Sequence, residues 1–243
     1  MNRLLQKVKI RVKGYQLLSK LSSSERALIS DIRKKRLTYL ADMKLYHIVE
    51  VCNDLKAQSK SGLFIEAGCA LGGSAVLIAK QKPRNASLNV YDVFGMIPPP
   101  TAEDPEEVHE RYRIISEGKS AGIKGDRYYG YEADLYERVK KTLEAFGIDQ
   151  KRDHVELVKG LVQDTMEINE PVAFAHVDVD WYDPVKTCLE RIFPHLIIGG
   201  SIILDDYHDW GGCRKATDEF LKTIEGQYEL HDVHRTMRVT RVK

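Results

Sequence analysis

The chain has 243 residues, of which 43% are hydrophobic and 30% are charged, and these proportions are typical of an ordinary globular protein. They exclude collagen-like, mucin-like and disordered chains, and no apolar run approaches the ~18 residues that a membrane-spanning helix needs. The four cysteines are widely spaced and form no C-x-x-C pair, so we expect buried thiols and not a disulfide scaffold. Without a secretory signal, the chain is expected to be cytoplasmic.

Residues 1–36 form a basic arm, followed by one expected domain over residues 37–243. The arm contains eleven Lys or Arg residues against Glu25 and Asp31, a net charge of +9, although the whole chain carries only +1. A solvated or subunit-contacting arm is favoured, and a weak contact with a membrane surface is the alternative. The sequence contains no motif of a nucleic-acid-binding protein, so no nucleic acid partner is expected.

A helical pattern over 37–55 opens the domain, since apolar residues recur there at spacings of three and four. Residues 63–66 then predict a short buried strand, and 68–73 a tight glycine turn. Residues 74–80 predict a helix that the Ser74 hydroxyl caps. This order of strand, glycine turn and helix is the first unit of an α/β fold.

Further apolar runs at 88–91, 155–158, 172–177 and 202–204 alternate with helical patterns. One of these helices is expected to begin at Asp183, as the N-cap before Pro184, and another covers 213–224. Two final runs, 228–233 and 237–242, predict an antiparallel pair at a sheet edge. The chain therefore predicts a doubly wound α/β domain with a seven-stranded, mostly parallel sheet and an N-terminal helical extension.

Residues 98–147 interrupt this pattern with three prolines, an acidic stretch and a segment rich in Gly and Tyr. An insertion of this length is typical of a lid over a binding site. Tyr128, Tyr129 and Tyr131 could then cover a ligand. Surface tyrosines on a partly helical excursion are the alternative.

Carboxylates follow nearly every strand of the predicted sheet. In an open parallel sheet, ligands bind beyond the carboxyl ends of the strands, and acidic side chains gathered there need a compensating cation. If the strands that precede Asp178 and Asp205 are neighbours, Asp178, Asp205 and Asp206 surround one point and suit Mg2+. Any one of these residues alone could instead cap a helix. The acidic residues at strand ends are Glu66, Asp92, Asp178, Asp180, Asp205 and Asp206.

The glycine turn 66–74, EAGCALGGS, differs from a dinucleotide fingerprint because Ala70 stands at the position of the second glycine of G-x-G-x-x-G. A pyrophosphate ligand is therefore disfavoured. Asp92 lies at the end of the second strand, where a carboxylate accepts hydrogen bonds from ribose hydroxyls. A nucleoside with a tail other than phosphate fits these residues better.

These motifs resemble the metal-dependent O-methyltransferases that use S-adenosylmethionine. The segments 64–76, FIEAGCALGGSAV, and 160–164, GLVQD, resemble the cofactor motifs of catechol O-methyltransferases. The segments 92–100, DVFGMIPPP, 176–180, HVDVD, and 205–207, DDY, resemble the macrocin O-methyltransferases, which methylate antibiotic sugars. The resemblance covers roughly residues 60–225.

The resemblance implies a class I methyltransferase fold, an S-adenosylmethionine cofactor, a small-molecule sugar substrate, Mg2+ and a homodimer. It implies a metal held by Asp178, Asp205 and Asp206. One departure is that Trp181 stands where the catechol enzymes have a lysine base. The cofactor contacts that it implies are Thr38, Tyr39, Glu66, Gly68, Ser74, Asp92 and Gln163, with helix packing as the alternative role of Thr38 and Tyr39.

A sugar hydroxyl needs activation at neutral pH, which a divalent ion and a base can supply together. Asp180 and Asp178 are the preferred base candidates, ahead of His208, while His176 is expected to support the metal site. The expected function is Mg2+-dependent O-methylation of a sugar or a sugar-bearing metabolite. A nicotinamide-dependent sugar oxidoreductase and a non-catalytic protein that binds S-adenosylmethionine and docks through its arm are the alternatives.

Overall fold

The computed structural model describes residues 20–243 as one seven-stranded sheet with helices on both faces. The strand order is β3-β2-β1-β4-β5-β7-β6. Strands β1 to β5 are parallel, and β7 is antiparallel to both β5 and β6. The predicted mostly parallel, doubly wound sheet is thereby confirmed. The strands are β1 (Leu63–Ala67), β2 (Leu88–Asp92), β3 (Val155–Lys159), β4 (Val172–Val177), β5 (Leu196–Leu204), β6 (Tyr228–Val233) and β7 (Thr236–Arg241).

The helices pack in two layers because neighbouring residues of each strand face opposite sides of the sheet. Phe64 of β1 contributes to the core on one face, and Ile65 contributes to the core on the other. Strands β1 and β4 are buried along their whole length, as expected for parallel strands covered on both faces. The helices are α1 (Ser23–Lys34), α2 (Asp42–Ala57), α3 (Gly73–Gln81), α4 (Glu106–Ser116), α5 (Leu135–Ala145), α6 (Val162–Thr165), α7 (Tyr182–Ile192) and α8 (Gly211–Thr223).

The N-terminal helix α1 lies inside the predicted basic arm and is part of the folded unit. Ser22 and Glu25 form a capping box at its start, and its residues Ile29 and Ile32 are buried in the core beside α2 and α3. Residues 1–19 of the arm lie outside the described part of the chain. No helix within residues 20–243 is long and apolar enough to cross a membrane. All four cysteines are buried and free, as expected.

Three predicted helix starts are wrong. Helix α2 begins at Asp42 and not at 37, because Leu37 is tied to the glycine turn through its carbonyl, which accepts from the Gly73 amide at 2.9 Å. Helix α3 follows Gly72, whose φ of +85° suits glycine, so Ser74 lies within the first turn and makes no cap. In α7 the N-cap position belongs to Trp181, and Asp183 lies inside the helix.

The insertion 98–147 contains α4, two short 3-10 turns and α5. Helix α5 buries Leu135, Val139 and Leu143 in the same core as α3. The last third of the insertion is therefore a helix that packs on the sheet like the other helices. Only the residues before this helix depart from the regular α/β pattern.

Candidate functional site

A cavity of about 700 Å3 lies at the carboxyl ends of the parallel strands. The sheet order makes β4 and β5 neighbours. The cavity is therefore lined by Asp178, just after β4, together with Asp205 and Asp206, just after β5. The Asp178 amide donates to the Ala67 carbonyl at 2.8 Å, and the Asp205 amide donates to the Val177 carbonyl at 3.0 Å. These bonds continue the ladders of the sheet and hold the two backbones in register.

The three carboxylates form one cluster, because an oxygen of each lies within 4.8 Å of an oxygen of the others. Burial and the charges of Asp205 and Asp206 raise the pKa of Asp178 well above its ordinary value. Burial and the charges of Asp180 and Asp205 do the same to the pKa of Asp206. Ionising all of them together therefore requires a cation.

Lys44 supplies one positive charge to this cluster from α2. Its ammonium lies 2.6 Å from Asp205 Oδ2 and 3.0 Å from Asp209 Oδ2. Asp205 Oδ1 is buried without a hydrogen-bond partner among residues 20–243. One lysine against this many carboxylates leaves the cluster negative.

Asp180 lies in the same cavity, two residues beyond Asp178. Its φ of +58° is in the left-handed region, which Asp tolerates better than most residues. Its amide donates to Asp206 Oδ2 at 3.3 Å. Burial and the charge of Asp205 raise its pKa to about 7, against the lowering effect of Trp210 and Arg111.

The glycine turn forms the neighbouring wall of the cavity. A Cβ atom on Gly68 would lie 1.9 Å from the Asp178 carbonyl oxygen, so only glycine allows the turn to pass this close to the backbone at Asp178. Asp92 fixes the turn from β2, because its Oδ2 accepts from the amides of Cys69 and Ala70 at 2.8 and 3.1 Å. Its Oδ1 accepts from the Phe94 amide at 2.7 Å.

A second, smaller cavity of about 60 Å3 adjoins the first and shares Gly68, Asp92 and Asp178 with it. Gln163 lines this cavity from α6, and its Oε1 is buried without a hydrogen-bond partner in the described part of the chain. A buried carbonyl oxygen without a partner calls for a donor, which a water molecule or a ligand in the adjoining cavity can supply.

The other four predicted cofactor residues are placed differently from one another. Tyr39 lines the large cavity. Thr38 is buried in the turn before α2, where its hydroxyl accepts from the Leu40 amide at 3.1 Å. Glu66 and Ser74, at the two ends of the glycine turn, are buried, and neither lines the two cavities that the described residues form.

The two predicted histidines also have separate surroundings. His176 is fully buried between Glu66 and Asp205, with Nδ1 3.5 Å from Glu66 Oε1 and Nε2 3.8 Å from Asp205 Oδ1. Burial opposes its charged form, but these two carboxylates raise its pKa to about 9. His208 does not line the cavity, and its Nε2 lies 3.2 Å from Asp232 Oδ1, so Asp180 and Asp178 stay ahead of it as the predicted base.

The insertion contributes part of the cavity wall. Of its three predicted tyrosines, Tyr128 and Tyr129 line the cavity, while Tyr131 donates to the Ile115 carbonyl at 2.6 Å and stabilises the excursion. Trp181, at the position of the catechol enzymes' lysine, is buried and donates its indole N–H to the Pro98 carbonyl at 2.9 Å.

Several cavity residues were absent from the sequence prediction. Lys44 had a detectable signal, because it precedes Ile48 by four residues and so lies on the buried face of the predicted helix. His234 and Arg235 form the turn between β6 and β7, and they reach this rim because β6 runs parallel to β5. The residues missed are Lys44, Arg111, Asp209, Trp210, His234 and Arg235.

The carboxylate cluster fits a hard divalent cation. All its donors are oxygens, Asp205 Oδ1 is unpartnered, and burial with mutual repulsion raises the pKa of Asp178 and Asp206. Mg2+ prefers such oxygen donors and keeps positions for water or substrate oxygens. Within residues 20–243 no other group of three or more His, Cys, Asp or Glu side chains is placed to hold a metal ion.

Comparison with known proteins identifies relatives of the whole chain. The macrocin O-methyltransferase (TylF) family matches residues 2–239. A curated relative, demethyldecarbamoylnovobiocin O-methyltransferase of Streptomyces niveus, is 23% identical over 206 residues, which are 82% of this chain and 72% of that protein.

Solved structures share the fold. The O-methyltransferase NovP aligns with a TM-score of 0.70 at 22% identity, covering 85% of this chain and 83% of that one. The TDP-rhamnose 3'-O-methyltransferase CalS11 of calicheamicin biosynthesis aligns with a TM-score of 0.53 at 17% identity, covering 90% and 95%. The family match and the curated relative favour methyl transfer over the nicotinamide-dependent alternative. The chain therefore belongs to the macrocin O-methyltransferase family and is an S-adenosylmethionine-dependent O-methyltransferase.

Proposed function

We propose that the protein transfers the methyl group of S-adenosylmethionine to a hydroxyl of a sugar or sugar-bearing metabolite in a Mg2+-dependent reaction. The observation that carries this proposal is the cluster of Asp178, Asp205 and Asp206 within 4.8 Å of one another, in a cavity shared with the glycine turn. The residues that would hold a hard cation and those that would hold a nucleoside thus line one cavity, which supports methyl transfer between neighbouring donor and acceptor.

The cofactor is proposed to lie along the glycine turn. Gly68 permits close approach to the backbone, Asp92 has about one carboxylate lone pair left for a ribose hydroxyl, and Gln163 offers its Oε1 to the adenine amino group. Tyr39 is retained as a contact from the large cavity. Thr38, Glu66 and Ser74, which do not line the cavities, are proposed to hold these contact residues in position.

Asp178, Asp205 and Asp206 would hold the metal, which when bound would lower the pKa of a coordinated hydroxyl. Asp180 is proposed as the base because its carboxylate shares the cavity with these ligands, and its backbone is tied to Asp206. It would hold the proton that the acceptor hydroxyl loses, while the glycine turn and the cluster orient donor and acceptor for in-line attack.

A sugar acceptor is supported by the walls around the cluster and by the relatives. Tyr128 and Trp210 present aromatic surface beside the carboxylates, which suits a ring with apolar faces and polar edges. The similar CalS11 is named as a methyltransferase of a nucleotide-linked sugar. Candidate acceptors are therefore nucleotide-sugars, glycans and glycosides.

The test is incubation with S-adenosylmethionine and a panel of nucleotide-sugars and glycosides, with mass spectrometry of the products. We expect one added methyl group on an accepted sugar, no product in excess EDTA, and recovery on adding Mg2+. Asp205→Asn should not recover. Full activity in EDTA, or transfer only to acceptors that lack a sugar, would contradict the proposal.

A cytoplasmic homodimer with a weak membrane contact through the basic arm remains a prediction. Light scattering of the full chain measures its oligomeric state, and liposome sedimentation with and without residues 1–19 tests the membrane contact. Equal sedimentation of both forms would remove the arm's role.

A further inference from the structure

Lys44 is a buried cation from a part of the fold distant in sequence from the carboxylates. It lies in the first turn of α2, and only 11% of its side chain is exposed. Its ammonium reaches the residues that follow β5, 161 positions further along the chain. Burying a lysine is costly unless its donors are satisfied, so this placement requires specific partners.

The three N–H donors of the Lys44 ammonium meet three oxygens. They are Asp205 Oδ2 at 2.6 Å, the Asp205 carbonyl at 3.0 Å and Asp209 Oδ2 at 3.0 Å. Asp209 is itself held from the other side, where its Oδ1 contacts the Arg235 guanidinium. The ammonium is therefore fixed at two points on Asp205 and braced by Asp209.

This arrangement gives the two carboxylate oxygens of Asp205 different surroundings. Oδ2 is engaged by Lys44, while Oδ1 is buried, has no hydrogen-bond partner among the described residues and lies 3.8 Å from His176 Nε2. A carboxylate held in this way offers one oxygen to a metal. Mg2+ takes six ligands in a strict octahedron, whereas Ca2+ takes six to eight and readily uses both oxygens of a carboxylate.

We propose that Lys44 is a positioning residue that restricts Asp205 to one coordinating oxygen and thereby gives the site its preference for Mg2+ over Ca2+. The proposal rests on the metal site of the proposed function and adds a determinant of its ion selectivity. Both ions carry the same charge, so repulsion by the ammonium affects both and largely cancels in the ratio of their affinities.

The experiment is titration calorimetry of the full-length protein with MgCl2 and with CaCl2, for the wild type, Lys44→Met and Lys82→Met. Lys82 is a matched control, because it is also buried and its Nζ donates to the Ala86 carbonyl at 2.7 Å, near the amino end of β2. We expect Lys44→Met to lower the ratio of the Ca2+ to the Mg2+ dissociation constant about tenfold, the lower end of the change in metal affinity that follows loss of a residue orienting a metal ligand. Lys82→Met should leave the ratio unchanged.

Asp209→Asn provides a second variant that retains the lysine and loosens its brace, so the ratio should shift in the same direction by less. An unchanged ratio in Lys44→Met, or a folded Lys44→Met that binds neither ion, would overturn the proposal. Absence of Mg2+ binding by the wild type would overturn both this proposal and the metal dependence. Metal-dependent methyl transfer with an unchanged ratio would overturn this proposal alone.

Discussion

Asp92 ends β2 and Asp205 follows β5 at the same rim of the sheet, but their surroundings differ. Asp92 accepts three backbone N–H groups, from Cys69, Ala70 and Phe94, and so is satisfied by the chain itself. Asp205 leaves one buried oxygen without a partner and lies among other carboxylates. A carboxylate bonded by the backbone shapes a loop, whereas clustered carboxylates favour a cation. We therefore propose that the rim has a cofactor half around Asp92 and a metal half around Asp205.

The largest expected effect comes from the metal half. Asp178→Asn removes a cluster charge and should lower kcat/KM about 10³-fold, since a metal ion contributes several kcal/mol to the transition state. Thermal stabilisation by Mg2+, measured by differential scanning fluorimetry, should disappear in the same variant. The control is Asp232→Asn, whose carboxylate lies beside His208 outside the cavity. Equal losses in both variants would contradict a dedicated metal site.

Asp180→Asn separates proton transfer from metal binding within that half. We expect kcat to fall by at least about 10²-fold, as loss of a general base does, while Mg2+ affinity stays within a few-fold of wild type. Steady-state kinetics and calorimetry measure the two quantities. Wild-type kcat in this variant would remove Asp180 from the mechanism.

Asp92→Asn tests the cofactor half. The amide group can accept at only one of its two positions, so at least one of the three bonded backbone N–H groups loses its acceptor, at a cost of about 1–3 kcal/mol. We expect S-adenosylmethionine to bind about 10-fold more weakly by calorimetry, with Mg2+ stabilisation retained. Glu156→Gln, an exposed carboxylate of the neighbouring β3, is the control. Loss of Mg2+ binding in Asp92→Asn with cofactor binding retained would contradict the assignment of Asp92 to the cofactor half.

Gln163→Ala should have the smallest effect, because it removes one neutral hydrogen bond worth about 0.5–1.5 kcal/mol. We expect the dissociation constant of S-adenosylmethionine to rise roughly 2- to 10-fold. An analogue with inosine in place of adenosine lacks the amino donor, so wild type and variant should bind it equally. If Gln163→Ala weakens the binding of both ligands to the same extent, Gln163 does not contact the amino group.

The carboxylates of the rim could be predicted because chain order and alternation already imply a parallel sheet, whose strand ends meet at one edge. Asp178 and Asp205 are brought together by the adjacency of β4 and β5. The Arg235 position could not be predicted in this way, since it depends on β6 running parallel to β5 beyond the antiparallel β7.

Local patterns failed where distant backbone contacts decide the structure. The apolar periodicity from 37 predicted a longer helix, but the Leu37 carbonyl bonds to Gly73 and the helix begins at Asp42. Lys44 is a different case, because its position on a buried helix face was evident, whereas its partners Asp205 and Asp209 depend on how α2 packs on the sheet.

Anomalous diffraction from crystals grown with Mn2+ and S-adenosylhomocysteine tests the shared rim most directly. We expect one strong peak in contact with Asp178, Asp205 and Asp206, beside a cofactor that extends from the glycine turn to Gln163. A peak elsewhere, or none while the product lies in the cavity, would contradict the division of the rim into a metal half and a cofactor half.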